Sequence, residues 1–298
     1  MIRPKLRQLE YLLALDNEQS FSNAAAACNV TQSTLSAGIK DLENILGQQL
    51  VNRAGRSTVS LTAFGNDVAE QSRMILSDVD NIVARARQMR APLSGILRLG
   101  IIPTIAPYFL PQAIKTISEE YPDLELQLHE DLSDRLIDQI TKRQLDAAIM
   151  AFPHKTEGME THTLFEEDFY LAAPKCKDIP DGVDMDDITQ DELLLLEDGH
   201  CLRDHALAAC TFIPSVKRKT FSATSLPTLL QMVGQGYGKT LLPEMVVKNA
   251  PIPDGIQIIP IQSPAPTREI GMVWLDNSPQ RKELNALAET LETIQQSK

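Results

Sequence analysis

Over the first sixty residues, apolar positions recur at helical spacing in short runs separated by turn residues. Leu6, Leu9 and Leu13, with Leu12 beside them, mark one amphipathic helix. Ser22 can cap a second helix over Asn23–Cys28 that Asn29 ends, and Thr31 can cap a third. In the third, Leu35, Ile39, Leu42 and Leu46 form the buried stripe. At about 100° per residue, Ser33, Ser36, Ala37 and Lys40 fall on the opposite face, with Gln32 at its N-terminal end. Leu50 to Thr62 then reads as two extended pieces around Ala54-Gly55, a short wing with Arg53 and Arg56 at its tip.

A different pattern follows. From Thr62 to Met89 there is no proline, and Val68, Ser72, Ile75, Val79, Ile82, Ala86 and Met89 keep a 4-3-4-3-4-3 spacing. That seam predicts a coiled-coil helix needing a partner, most simply a second copy of the chain. The competing reading is a helix lying on its own domain, which usually shows a wider stripe. Beyond residue 95, strand patterns at Ile96–Ile102, Leu124–His129, Leu145–Ala151, Phe169–Ala173, Ile256–Ile261 and Ile270–Leu275 alternate with helical stretches around 108–121, 132–143, 201–209, 225–235 and 280–296. The alternation predicts an α/β region with a largely parallel sheet.

Composition narrows the class. With 298 residues, 43% hydrophobic and 23% charged, the chain reads as soluble and globular, with more than one core. Four cysteines do not make a disulfide-dense secreted scaffold. Met1–Glu10 is charged with no apolar run after it, and no stretch approaches the roughly 18 apolar residues of a membrane span. A cytosolic location is expected. The net charge of -12 argues against a nucleic-acid partner until it is divided. Residues 1–90 hold ten Lys and Arg against nine Asp and Glu, net +1, and the remainder 18 against 31, net -13. The acidity belongs to the second part.

Two helices joined by a tight turn, the second with a small polar face, describe a helix-turn-helix, although a three-helix protein-interaction module fits the same pattern. In the DNA reading, Gln, Ser and Thr side chains meet base edges and Lys40 meets phosphate. The second part holds a cysteine pair, His200-Cys201-Leu202-Arg203-Asp204-His205 and then Cys210. A thiol at a helix start beside Arg203 and His200 is expected to have a depressed pKa. Nine helical residues advance about 13.5 Å and turn through about 900°, so the two sulfurs would point apart. A disulfide needs Cα atoms within about 7 Å, so joining them would unravel the helix. At this stage three other readings stand: buried apolar cysteines, zinc ligands His200, Cys201, His205 and Cys210, and a thiol enzyme. Gly238-Lys239-Thr240 lacks the first glycine of a P-loop and reads as a turn feeding a strand. Cys28 and Cys176 read as structural, and His129, His154 and His162 as too scattered for a metal.

Phe21-Ser-Asn-Ala24-Ala25, Gln32-Ser33-Thr34-Leu35-Ser36, Ile39-Lys40-Asp41-Leu42-Glu43, Leu50, Arg53, Leu61-Thr62 and Gly65 together resemble LysR-type transcriptional regulators over the whole chain. Val51 and Cys28 depart from the phenylalanine and leucine usual there. The resemblance implies an all-α winged helix-turn-helix (1–61), a dimerising linker helix (62–91) and an α/β two-lobed regulatory domain like a periplasmic binding protein (92–298). Lobe I would take 92–165 and 268–298, and lobe II 166–267. Gln32, Ser33, Thr34, Ser36 and Lys40 would face the major groove, with Arg53 and Arg56 on the backbone or minor groove. Gly199–Asp204 with Cys210, Ile102-Pro103-Thr104, Leu128-His129-Glu130, Ala223–Leu226 and Gly236–Pro243 are similar to the family's peroxide-sensing members. That similarity implies a peroxidatic Cys201, a resolving Cys210 and a peroxide pocket of Thr104, Ser133, His200, Arg203 and Asp204. Ser133 retains the hydroxyl of the usual threonine without its methyl. Implied partners are operator DNA, hydrogen peroxide, RNA polymerase, a glutaredoxin- or thioredoxin-type reductant, and further copies in a dimer of dimers. No cofactor, metal or membrane is implied, and the protein would sense rather than catalyse. The alternatives are a metabolite-responsive member of the family with structural cysteines, and a thiol peroxidase-like enzyme.

Overall fold

The computed structural model describes residues 3–52, 59–88, 93–176, 181–188, 193–209, 222–262 and 264–296. Arg53, Arg56, Met89 and Cys210 lie outside the described residues. The chain forms two compact units, one of residues 1–90 with 142–144 and one of 91–141 with 145–298.

In the first unit, α1 (Leu6–Glu18), α2 (Phe21–Ala27) and α3 (Gln32–Leu46) pack around Leu9, Leu12, Leu15, Ala24, Leu35, Ile39 and Leu42. Helix α2 starts earlier than Ser22 suggested. Ser20 is the cap, accepting a hydrogen bond from Asn23 N–H, because the apolar Phe21 packs inward as the first helical residue. Thr31 caps α3 as expected, accepting from Thr34 N–H at 3.2 Å, and Gly47, in the left-handed region at φ 71°, ends it. Gly38 lets α3 approach α1, since a Cβ there would sit 2.6 Å from the Tyr11 ring. The Glu43 carboxylate accepts from Leu50 and Val51 N–H, which fixes the wing strands β1 (Val51–Asn52) and β2 (Ser60–Leu61) to α3. Val51 is buried and Cys28 packs against the same core, so both family departures are core substitutions.

Helix α4 (Ala63–Gln88) is capped by Thr62, whose hydroxyl accepts from Gly65 N–H. The predicted seam divides. Val68 packs on the helix-turn-helix core and Ser72 is fully buried, whereas Ile75 and Ile82 are exposed, Ile82 to 69%.

The second unit holds β3 (Gly95–Ile101), α5 (Ala106–Glu120), β4 (Leu124–Glu130), α6 (Ser133–Thr141), β5 (Ala147–Phe152), β6 (Met159–Pro174), β7 (Leu195–Leu196), α7 (Cys201–Ala209), β8 (Ser222–Ala223), α8 (Leu226–Gly234), β9 (Thr240–Pro243), α9 (Glu244–Asn249), β10 (Ile256–Pro260), β11 (Thr267–Leu275) and α10 (Arg281–Gln296). The main sheet runs β10-β6-β11-β5-β3-β4, with β9 also on β6. The expected largely parallel sheet needs correcting. Strands β4, β3 and β5 are parallel, but β11 is antiparallel to both β5 and β6, and β6 is antiparallel to β9 and β10. The cause is β6, which is 16 residues long rather than five. Its first part pairs with β11 in one lobe and its last part with β9 and β10 in the other. The polar start Met159–Thr163 hid this strand from a hydrophobicity pattern.

Candidate functional site

Three strand-to-helix junctions meet at the carboxyl ends of β3 and β4, where ligands of open α/β sheets bind. They supply Ile102, Pro103 and Thr104 ahead of α5, Leu132 and Ser133 at the start of α6, and Gly199, His200 and Cys201 at the start of α7. Together these residues line one small pocket. Gly199, at φ 95°, makes the turn that presents Cys201, with its Cα facing Leu132 across the pocket.

Of the expected peroxide residues, Thr104, Ser133, His200 and Cys201 line the pocket. Arg203 and Asp204 do not. Arg203 lies about 200° around α7 from Cys201, so its guanidinium turns away, donating to the Leu196 carbonyl at 3.0 Å and pairing with Asp198 at 2.9 Å. Asp204 is exposed.

The cation near the thiol is instead Arg268 on β11, a residue outside the strand read from the sequence. Its side chain is completely buried, and its NH1 donates to the Thr104 hydroxyl at 3.4 Å. Glu167, its cross-strand neighbour on β6, takes Nε–H on Oε1 at 2.8 Å. A signal was present for both. Arg268 shares strand parity with the buried Ile270, Met272 and Trp274, and Glu167 with Phe169, Leu171 and Ala173.

The expected depressed thiol pKa is also corrected. Burial pushes the Cys201 thiol up, and Asp204 adds to that, while Arg268, the Ser133 hydroxyl and the Leu202 N–H pull it down. Ser133 Oγ is buried without a geometrically aligned hydrogen-bond partner, so its hydroxyl is held for the sulfur. Burial lowers the His200 pKa against the charge of Glu197, which favours a neutral imidazole. His205, one turn beyond Cys201, meets the Phe152 carbonyl through Nε2 at 3.1 Å, and its buried Nδ1 has no aligned partner. Its Nε2 is therefore engaged by a carbonyl, and among the described residues no three metal-type ligands cluster.

In the first unit, Gln32, Ser33, Thr34 and Lys40 are exposed along α3 and Ser36 is half-buried. The Thr31, Ser33 and Thr34 hydroxyls bond among themselves at 2.8–2.9 Å, which orders the N-terminal end of the helix. A short, capped, solvent-facing helix with a small polar face beside a two-stranded wing defines a winged helix-turn-helix transcription regulator.

Comparison with known proteins agrees with that class. Residues 6–66 match the bacterial regulatory helix-turn-helix proteins of the lysR family, and residues 90–295 match the LysR substrate binding domain. The chain belongs to the LysR family of bacterial transcription regulators. It is 37% identical to the HTH-type transcriptional regulator EstR of Acinetobacter baylyi, over 98% of this chain and 97% of that one. It is 39% identical to the hydrogen peroxide-inducible genes activator of Dickeya chrysanthemi, over 96% and 94%. A cysteine mutant of OxyR from Corynebacterium glutamicum, solved with H2O2 bound, superposes with a TM-score of 0.65 at 31% identity, covering 99% of this chain and 94% of that one.

Proposed function

We propose that the protein is a hydrogen-peroxide-sensing transcription regulator whose switch is a Cys201–Cys210 thiol–disulfide transition. The observation that carries this reading is the pocket itself. A thiol and two hydroxyls line one small pocket walled by Ile102, Pro103 and Leu132, and the buried Arg268 guanidinium reaches the Thr104 hydroxyl behind it. A thiol beside hydroxyl donors in so small a pocket suits hydrogen peroxide better than a bulky metabolite. The names of the relatives from Dickeya and Corynebacterium support the same reading.

The chemistry follows from those groups. The Cys201 sulfur attacks one peroxide oxygen, the O–O bond breaks, and the departing hydroxide leaves as water with the thiol's proton. Ser133 favours the thiolate, while Thr104 and Arg268 face the oxygens. The Cys210 thiol then attacks the sulfenic acid sulfur, expelling a second water and forming the disulfide. A glutaredoxin- or thioredoxin-type dithiol returns two electrons. Because Cys201 opens α7, closing the bridge requires that helix to come apart, which changes the surface of the regulatory domain.

In this reading residues 1–61 bind operator DNA, with Gln32, Ser33, Thr34, Ser36 and Lys40 in the major groove and Arg53 and Arg56 beside it. Residues 62–91 join two copies through the exposed Ile75 and Ile82, and two dimers share an extended operator and act on RNA polymerase. No described helix is long and apolar enough to cross a membrane, which suits a regulator working in the cytoplasm.

The test is mass spectrometry of the full chain after one equivalent of peroxide, alongside Cys201→Ser and Cys210→Ser. A 201–210 disulfide that appears only in the parent, with a changed DNA footprint, is the expected result. Absence of the bridge with a footprint that instead responds to a metabolite would support the metabolite-responsive alternative. Continuous peroxide consumption without any effect on DNA would support a thiol peroxidase.

A further inference from the structure

Burying a guanidinium and a carboxylate together costs several kcal/mol per ion before their attraction returns it, so a fully buried pair is weak evidence of a purely stabilising role. The Arg268–Glu167 pair is of this kind, at 0% and 3% side-chain exposure. Its geometry is one-sided. Glu167 Oε1 meets both Nε, at 2.8 Å, and NH2, at 2.7 Å. Oε2 is occupied by the Met245 N–H, at 2.8 Å, in the first turn of α9. Both carboxylate oxygens are thus fixed from two different elements, and the plane of the guanidinium is fixed with them. What remains is NH1, aimed at Thr104 at 3.4 Å.

We propose that Glu167 is the positioning residue of the Cys201 reaction: it aims Arg268 at the pocket and ties that aim to helix α9 of the second lobe. This rests on Cys201 being the peroxide-reactive thiol. When the new S–O bond forms and the O–O bond breaks, negative charge develops on the departing oxygen until it takes the thiol's proton. A guanidinium held beside Thr104, with donor hydrogens to spare, stabilises that charge without having to reorganise. Arg268 held loosely would still be a nearby cation for the thiol but no longer an oriented donor. Loss of Glu167 therefore harms the peroxide reaction more than it harms simple alkylation of the same thiol.

The experiment uses the full-length chain and two reagents on Cys201: hydrogen peroxide, and iodoacetamide, whose iodide leaving group needs no proton or oriented donor. Glu167→Gln is expected to slow oxidation about tenfold or more, as losing one oriented donor does, while alkylation changes less than threefold. Glu167→Asp keeps the charge but is too short to hold Met245 N–H and Arg268 together, and should show the same split if Glu167→Gln does not fold. In an Arg268→Met background, Glu167→Gln should slow oxidation no further, because it acts through the arginine. Oxidation within twofold of the parent, equal slowing with both reagents, or multiplying effects in the double variant would each overturn the proposal. A parent Cys201 inert to peroxide would overturn the sensor reading as well, whereas a reactive parent matched by Glu167→Gln overturns the positioning role alone.

Discussion

Ser133 places stability and reactivity in opposition, and replacing it separates them. Its hydroxyl is buried, with the residue 3% exposed, and is turned to the Cys201 sulfur, a weak acceptor while the thiol keeps its proton. A buried hydroxyl that is poorly satisfied costs up to about 1–3 kcal/mol. Ser133→Ala removes that cost and leaves a defect of a single oxygen, so the regulatory domain should gain about 1 kcal/mol. For a domain of this size, that raises Tm by about 2–4 °C. The same oxygen is the hydroxyl that favours the Cys201 thiolate. A hydrogen bond to a charged group is worth about 1.5–3 kcal/mol, so peroxide oxidation should slow about 10- to 100-fold. Ser133→Thr restores the hydroxyl and should restore most of the rate. Calorimetry of the reduced full chain and stopped-flow oxidation of Cys201 give the two numbers. A Tm lowered by more than a few degrees would refute the claim that the hydroxyl is poorly satisfied, and an unchanged rate would refute its role at the sulfur.

Other expectations follow from the same geometry. With its pKa raised by burial, Cys201 should be alkylated by iodoacetamide about tenfold faster per pH unit from pH 7 upward, with no plateau below pH 8. A plateau near pH 6 would show an activated thiolate. His205 and His200 are both held toward the neutral form by burial, so the unfolded chain takes up protons first as pH falls. Stability should therefore be intact above about pH 7 and decline below about pH 6.5, visible as falling melting temperatures. Thr31→Ala removes the cap of α3 and should cost about 1 kcal/mol. Operator affinity in gel shifts should weaken with it, while the rate of Cys201 oxidation stays unchanged.

Much of the first unit was legible because periodicity alone sets it. The stripe Leu35, Ile39, Leu42 is buried as its spacing required, and Thr31 caps where a threonine before a helical run should. The Ser22 cap failed because two serines flank Phe21, and only packing decides which one lies outside the helix. In the regulatory domain, Cys201 was legible from its helix-start signal, whereas Thr104, Ser133 and His200 were named only through the resemblance to the family's peroxide-sensing members. Arg268 and Glu167 were missed although strand parity put both on the buried face, since only the fold shows that charges 101 residues apart neutralise one another. Arg203 misled for the opposite reason. It is next but one to the cysteine in sequence, and helical geometry sends it to the far side.

Strand β6 runs directly from the first lobe into the second, with Asp168 opposite Thr267, Phe169 opposite Pro243 and Tyr170 opposite both Leu242 and Pro260. Neither lobe has a complete sheet unless the other's share of this strand is also formed. Melting one lobe therefore strips an edge from its neighbour, and the regulatory domain should unfold in a single calorimetric transition rather than two. Opening of α7 on oxidation would then leave the rest folded, because the cooperative unit is built around β6 and not around α7.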